Sequence, residues 1–109
     1  MKPKSYTFSV KPIYGKSKKK LTISASSSFS ELDSEIRNVM GHDSWDHLSG
    51  FYEGKPFQST EIATVSPDGG GENSDISIKS LNLQPGDKLG YVYDFGDCLQ
   101  STILVEEVS

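Results

Sequence analysis

Asp94 and Asp97 stand three residues apart, around a Phe-Gly pair, in the string Tyr91-Val-Tyr-Asp-Phe-Gly-Asp97. Carboxylates at this spacing on a sharp turn can hold a hard cation or act as an acid–base pair. They can also accept hydrogen bonds from the turn's own amides, which is what Asp side chains in tight turns usually do. A cation site needs a further donor, and His47, Asp43 and Asp46 are the candidates; Asp94, Asp97 and His47 make the expected metal set. Joined by two aromatic residues, the turn gives a candidate ligand-binding set of Trp45, His47, Tyr93, Asp94 and Asp97. For His47 alone, packing of its loop beneath a helix is the plainer role. His42 is expected to be solvated beside a helix terminus, where a partly positive imidazole is favoured. No cofactor follows from these residues.

Other chemistries fail on their own requirements. An Asp-Phe-Gly string invites a kinase reading, but the chain has no Gly-rich phosphate loop and no His-Arg-Asp string, and it is far too short. The glycines Gly69 to Gly71 lack the Gly-Lys-Ser/Thr that a phosphate loop requires. Cys98 has no neighbouring base or helix terminus to activate it as a nucleophile. The serines of Ser24 to Ser30 are explained by helix capping. With no complete catalytic set, the sequence points away from an enzyme.

Charge is divided along the chain. Residues 1–20 hold seven lysines and no acid, whereas the other 89 residues hold four basic and fifteen acidic side chains. Lys16, Lys18, Lys19 and Lys20 are therefore candidate phosphate contacts for a nucleic acid. The run has no interleaved aromatics for base stacking, and a solvated hairpin tip explains it as well. If the basic strands pair with acidic ones, much of the charge cancels in space.

The elements that must position these groups are legible from periodicity. Tyr6, Phe8, Val10, Pro12 and Tyr14 alternate with polar residues, which predicts a strand whose end Pro12 pushes to an edge or bulge. Leu21, Ile23 and Ala25 predict its hairpin partner. Ser28 to Glu31 has capping-box spacing, with acids at 31, 33 and 35 placed to suit the helix dipole. Phe29, Leu32, Ile36, Val39 and Met40 form one apolar stripe, and Gly41 suits the position just past a helix end. A short strand around Phe51 and a turn at Gly54 follow. Ser59 to Asp75, with Pro67-Asp-Gly-Gly-Gly71, reads as a long mobile loop. Leu89 to Tyr93 and Leu99 to Val108 predict a last hairpin. With one long helix and no second to receive its stripe, that stripe must cover a sheet. The expected fold is α+β and β-grasp-like, a mixed β-sheet packed on one main helix, as a single domain over residues 1–109.

Two segments resemble the plasmid pRiA4b ORF-3-like family. One runs from Phe29 to Phe51, with Met40-Gly41, an acidic stretch and His47-Leu48. The other runs from Leu83 to Glu106, where Pro85-Gly-Asp87 leads into Tyr93-Asp-Phe-Gly-Asp97 and an alternating strand. The resemblance extends from about Tyr6 onward. The family pattern continues with Trp and then His where this chain has Leu99 and Ser101, and it often has Trp after Met-Gly where this chain has His42. A metal or acid–base role resting on that family His is therefore lost here. The resemblance implies a fold and an association with mobile elements more than an activity.

Composition bounds the rest. A chain of 109 residues buries between about 60% and 70% of its unfolded surface, enough for one core. A lone cysteine suits a reducing compartment, no apolar run approaches a membrane span, and the amino terminus lacks a signal peptide's apolar stretch. The sequence therefore reads as a soluble cytoplasmic binding module. Its partner is expected to be another protein or a small ligand, with nucleic acid a weaker alternative and no membrane.

Overall fold

The computed structural model describes residues 3–14, 18–42, 47–68, 70–96 and 98–109. The first hairpin forms as its alternation demands. Strand β1 (Ser5–Pro12) buries Tyr6, Phe8 and Val10 completely, the side chains on one side of its two-residue period. Strand β2 (Lys19–Ser24) pairs antiparallel with it, from Ser5↔Ser24 to Val10↔Lys19. Pro12 lies beyond that pairing, opposite Ser101 on β1's other side. There its missing amide hydrogen breaks no ladder with β2.

Ser28 caps helix α1 (Phe29–Met40). Its hydroxyl accepts from Glu31 N–H at 3.1 Å, and its own amide donates to Glu31 Oε1 at 3.1 Å. Gly41 ends the helix at φ 72°, a left-handed conformation open to glycine without a Cβ penalty. Phe29, Leu32 and Ile36 are fully buried, while Val39 and Met40 pack at the margin. Asp33, expected to suit the helix dipole, is also a buried charge. Together with Arg37 it is buried against the sheet.

Four further strands follow: β3 (Ser49–Tyr52), β4 (Glu61–Val65), β5 (Lys88–Tyr93) and β6 (Leu99–Val108), with a 3-10 turn at Ile78–Leu81. They complete a six-stranded sheet in the order β2-β1-β6-β5-β3-β4. Every pairing is antiparallel, which corrects the expectation of a mixed sheet. The reason is parity. A lone last strand between β1 and β3 would run parallel to β1, but here a whole hairpin fills the gap, so its second strand runs against β1. The fold is therefore α+β, with α1 laid across one face of an antiparallel sheet.

The segment expected as a long loop contains β4. Ala63 and Val65 are buried, and β4 pairs with β3 along Ser49↔Val65 to Tyr52↔Glu61. Its return is bonded too: Thr64 N–H donates to the Glu72 carbonyl at 2.8 Å and Ser66 N–H to the Gly70 carbonyl at 2.7 Å. The carbonyls of Ile76 and Ser74 then accept from Phe29 N–H at 3.1 Å and Ser30 N–H at 2.8 Å. These are amides that a helix start leaves without intrahelical partners. Among the described residues, no helix is long and apolar enough to cross a membrane.

Candidate functional site

The register Ser49↔Tyr93 brings the end of β5 beside the segment that enters β3. Asp94 follows at φ 64°. Its Oδ1 accepts from Gly96 N–H at 3.0 Å, so it does brace its own turn. Its backbone amide donates to the Leu48 carbonyl at 2.8 Å. The other carboxylate oxygen, Oδ2, lies 3.5 Å from His47 Nδ1. The acidic turn and the segment past Gly41, distant in sequence, therefore meet.

The Tyr93 ring organises this corner. His47 meets it edge-on, with centroids 5.6 Å apart, and His42 stacks flat on it at 4.2 Å. The Arg37 guanidinium lies 5.0 Å from its centroid, within cation–π range. Tyr93 itself is only 4% exposed, so it positions the imidazoles and offers little surface of its own. His42 differs from expectation. Burial, and secondarily the Arg37 charge, lower its imidazole from the ordinary value of 6.5. A ring clamped on Tyr93 beside a guanidinium favours its neutral form, whatever the helix dipole offers.

Beneath the corner lies a buried polar network that periodicity did not reveal. Arg37 Nε lies 2.8 Å from Asp33 Oδ2, one helical turn away. The Tyr91 hydroxyl donates to Asp33 Oδ1 at 2.7 Å, and Ser49 Oγ donates to the same oxygen. Arg37 also donates to the His47 carbonyl at 2.6 Å and to Ser49 Oγ at 3.1 Å. Burial pushes the Asp33 carboxyl above its usual range, against the opposing pull of Ser49, Tyr91 and Arg37. The Tyr91 hydroxyl is raised well above 10, by burial first and the Asp33 charge second. One signal was available: Asp33 is four residues after Phe29 and three before Ile36, inside the apolar arc, with Arg37 four further on.

Of the other expected residues, Trp45, Asp97, Asp43, Asp46 and Lys16 lie outside the described residues. Among those described, no group of three His, Cys, Asp or Glu side chains is placed to hold a metal ion; His47 and Asp94 contribute two donors. Lys18, Lys19 and Lys20 are exposed, and Lys18 Nζ lies 3.7 Å from Glu106 Oε2. Cys98 is exposed, with Sγ 3.0 Å from the Phe95 carbonyl.

The model of the plasmid pRiA4b ORF-3-like protein family matches residues 10–109. The chain belongs to that family. A solved structure, that of the protein of unknown function MM3350 from Methanosarcina mazei Go1, aligns with a TM-score of 0.72 at 19% identity. The alignment covers 99% of this chain and 62% of that one, so this chain spans less than two thirds of MM3350, and the likeness is one of fold. No curated protein matches. Within the pRiA4b ORF-3-like pattern, the departures at Leu99 and Ser101 fall in different settings. Leu99 is 47% exposed, whereas Ser101 is buried on β6 opposite Tyr91.

Proposed function

We propose that this pRiA4b ORF-3-like chain is a small non-catalytic binding module of the cytoplasm, a single domain over residues 1–109 built on a β-grasp-like plan. It captures another protein or a small ligand at Trp45, His47, Tyr93, Asp94 and Asp97. The observation that carries this reading is the 3.5 Å approach of His47 Nδ1 to Asp94 Oδ2 beside the Tyr93 ring. An imidazole and a carboxylate held at a fixed angle by an aromatic base give a partner directional hydrogen bonds on a rigid footing. Tyr93 serves as the positioning residue, and His47 and Asp94 face the partner. The order hairpin, helix, strands supports the β-grasp-like plan. Capture of a partner by the wild-type chain and its loss in the Asp94→Ala/Asp97→Ala variant, with circular dichroism unchanged, is the expected result. Equal capture by a folded variant would remove the reading.

A metal-binding reading, or a metal-dependent enzyme built on it, stands second, because His47 and Asp94 already bring two donors together. It predicts that a divalent cation raises the melting temperature, since a ligand of the native state stabilises it; no shift with any cation would sink it. Nucleic-acid binding through Lys16, Lys18, Lys19 and Lys20 ranks behind both, because Lys18 faces Glu106.

A further inference from the structure

A cavity of about 660 Å³ opens between the turn 54–58 and the β5–β6 hairpin, and neither His47 nor Asp94 lines it. Tyr91 reaches Asp33 on α1, so the alternation of β5 puts Gly90 on the opposite face of the sheet. Thr102 pairs directly with Gly90, and Gln100 with Val92, so both share that far face.

Gly90 explains why a cavity forms here. A Cβ at this position would lie 2.2 Å from the Gly54 carbonyl oxygen and 2.8 Å from Pro56 Cδ. Lacking one, β5 lets the turn lie against the sheet and become a wall. Phe57 rises from that wall at φ 65°. Its ring is 5.4 Å from Tyr52 and 5.9 Å from Phe95, yet it remains 53% exposed, and Ile13, also lining the cavity, is 48% exposed. The side chains of Gln100 and Thr102 have no hydrogen-bond partner among the described residues. Lys55 and Lys88 complete the lining. Both are exposed, and neither has an ion-pair partner among the described residues.

We propose that this cavity binds a small organic anion with a flat apolar body. The volume lies within the usual range for small-molecule sites, and the lining follows their pattern of apolar walls with a few polar groups. Phe57 and Ile13 receive the flat body. Lys55 and Lys88 receive the anionic group, and Gln100 and Thr102 supply hydrogen bonds. Charge complementarity decides the sign. In a chain of net charge −4, two lysines without acidic partners beside one cavity select an anion over a cation.

The probe is 8-anilinonaphthalene-1-sulfonate, titrated into the full chain and followed by fluorescence and by amide chemical shifts. The expected result is saturable one-to-one binding with shifts centred on Gly54, Gly90, Gln100 and Thr102. Binding should weaken about tenfold in the Lys55→Gln/Lys88→Gln variant, equivalent to about 1.4 kcal/mol. The neutral analogue N-phenyl-1-naphthylamine should bind that variant and the wild type alike. The Gln100→Trp variant, with an unchanged melting temperature, should lose the site by filling it. Shifts centred on His47 and Asp94 would overturn the proposal. So would undiminished sulfonate binding in the lysine variant, or binding that appears only as native near-ultraviolet dichroism is lost. Shifts at the cavity that depend on protein concentration without probe would also overturn it, since they would assign the face to a second copy of this chain.

Discussion

Asp33 and Arg37 form an ion pair that water barely reaches, with side chains 4% and 3% exposed. Removing one partner of such a pair strands the other charge where neither water nor a counter-ion can solvate it. Asp33→Ala is therefore expected to lose about 3–5 kcal/mol of unfolding free energy. The double replacement Asp33→Leu/Arg37→Met should lose clearly less than the two single changes summed. Urea unfolding of the wild type, Asp33→Ala, Asp33→Leu, Arg37→Met and the double variant checks both statements. His42 adds a pH dependence of known sign. Its folded-state pKa lies below the unfolded value, so the unfolded chain takes up the proton first as pH falls. The stability His42 contributes is fully present above about 6.5 and is lost as pH falls through its folded value. Arg37 and Asp33 act on the same ring in opposite senses. His42→Phe keeps an aromatic ring on Tyr93 and should flatten the stability profile just below pH 6.5, measured as denaturation midpoints across pH.

At the scale of elements, α1 begins with two independent supports. The capping box satisfies amides from within, and the carbonyls of Ser74 and Ile76 satisfy others from outside. Ser28→Ala removes only the first. It should lower stability by about 1 kcal/mol, read from thermal unfolding, with helical dichroism retained in the native state. Both hairpins, the capping box and the Gly41 terminus could be read from the sequence because each rests on a local rule: period two, a four-residue capping pattern, one left-handed residue. β4 could not. Its inward residues Ala63 and Val65 are small, its run is five residues long, and Thr, Ser, Pro and Gly surround it. What makes it a strand is the ladder offered by β3, and that is a non-local cause.

For the molecule as a whole, the strap 70–77 joins sheet and helix. Gly71 holds it down: at φ 124°, its missing Cβ avoids a position 2.1 Å from the Thr64 carbonyl oxygen. Asn73 Nδ2 also donates to the Ile62 carbonyl at 3.1 Å. Gly71→Ala should lift the strap from β4 and release the amides of Thr64, Phe29 and Ser30 together. Hydrogen exchange would register faster exchange at all three, whereas a purely local disturbance would spare the two on α1. The candidate sites divide in the same way. That Tyr93, Asp94 and His47 were worth attention followed from residue type and spacing alone, as did the hairpins and the amphipathic helix. Their meeting was decided by β3 pairing with β5, and the antiparallel sheet by insertion of a whole hairpin beside β1. The contacts of Asp33 and Arg37 with Ser49 and Tyr91 and the far-face cavity were likewise decided only in three dimensions. Local periodicity and capping act over a few residues and so leave their mark in the chain. Strand order, the burial of charge and the approach of a turn to a bare glycine depend on contacts between residues far apart, which no short window of sequence contains.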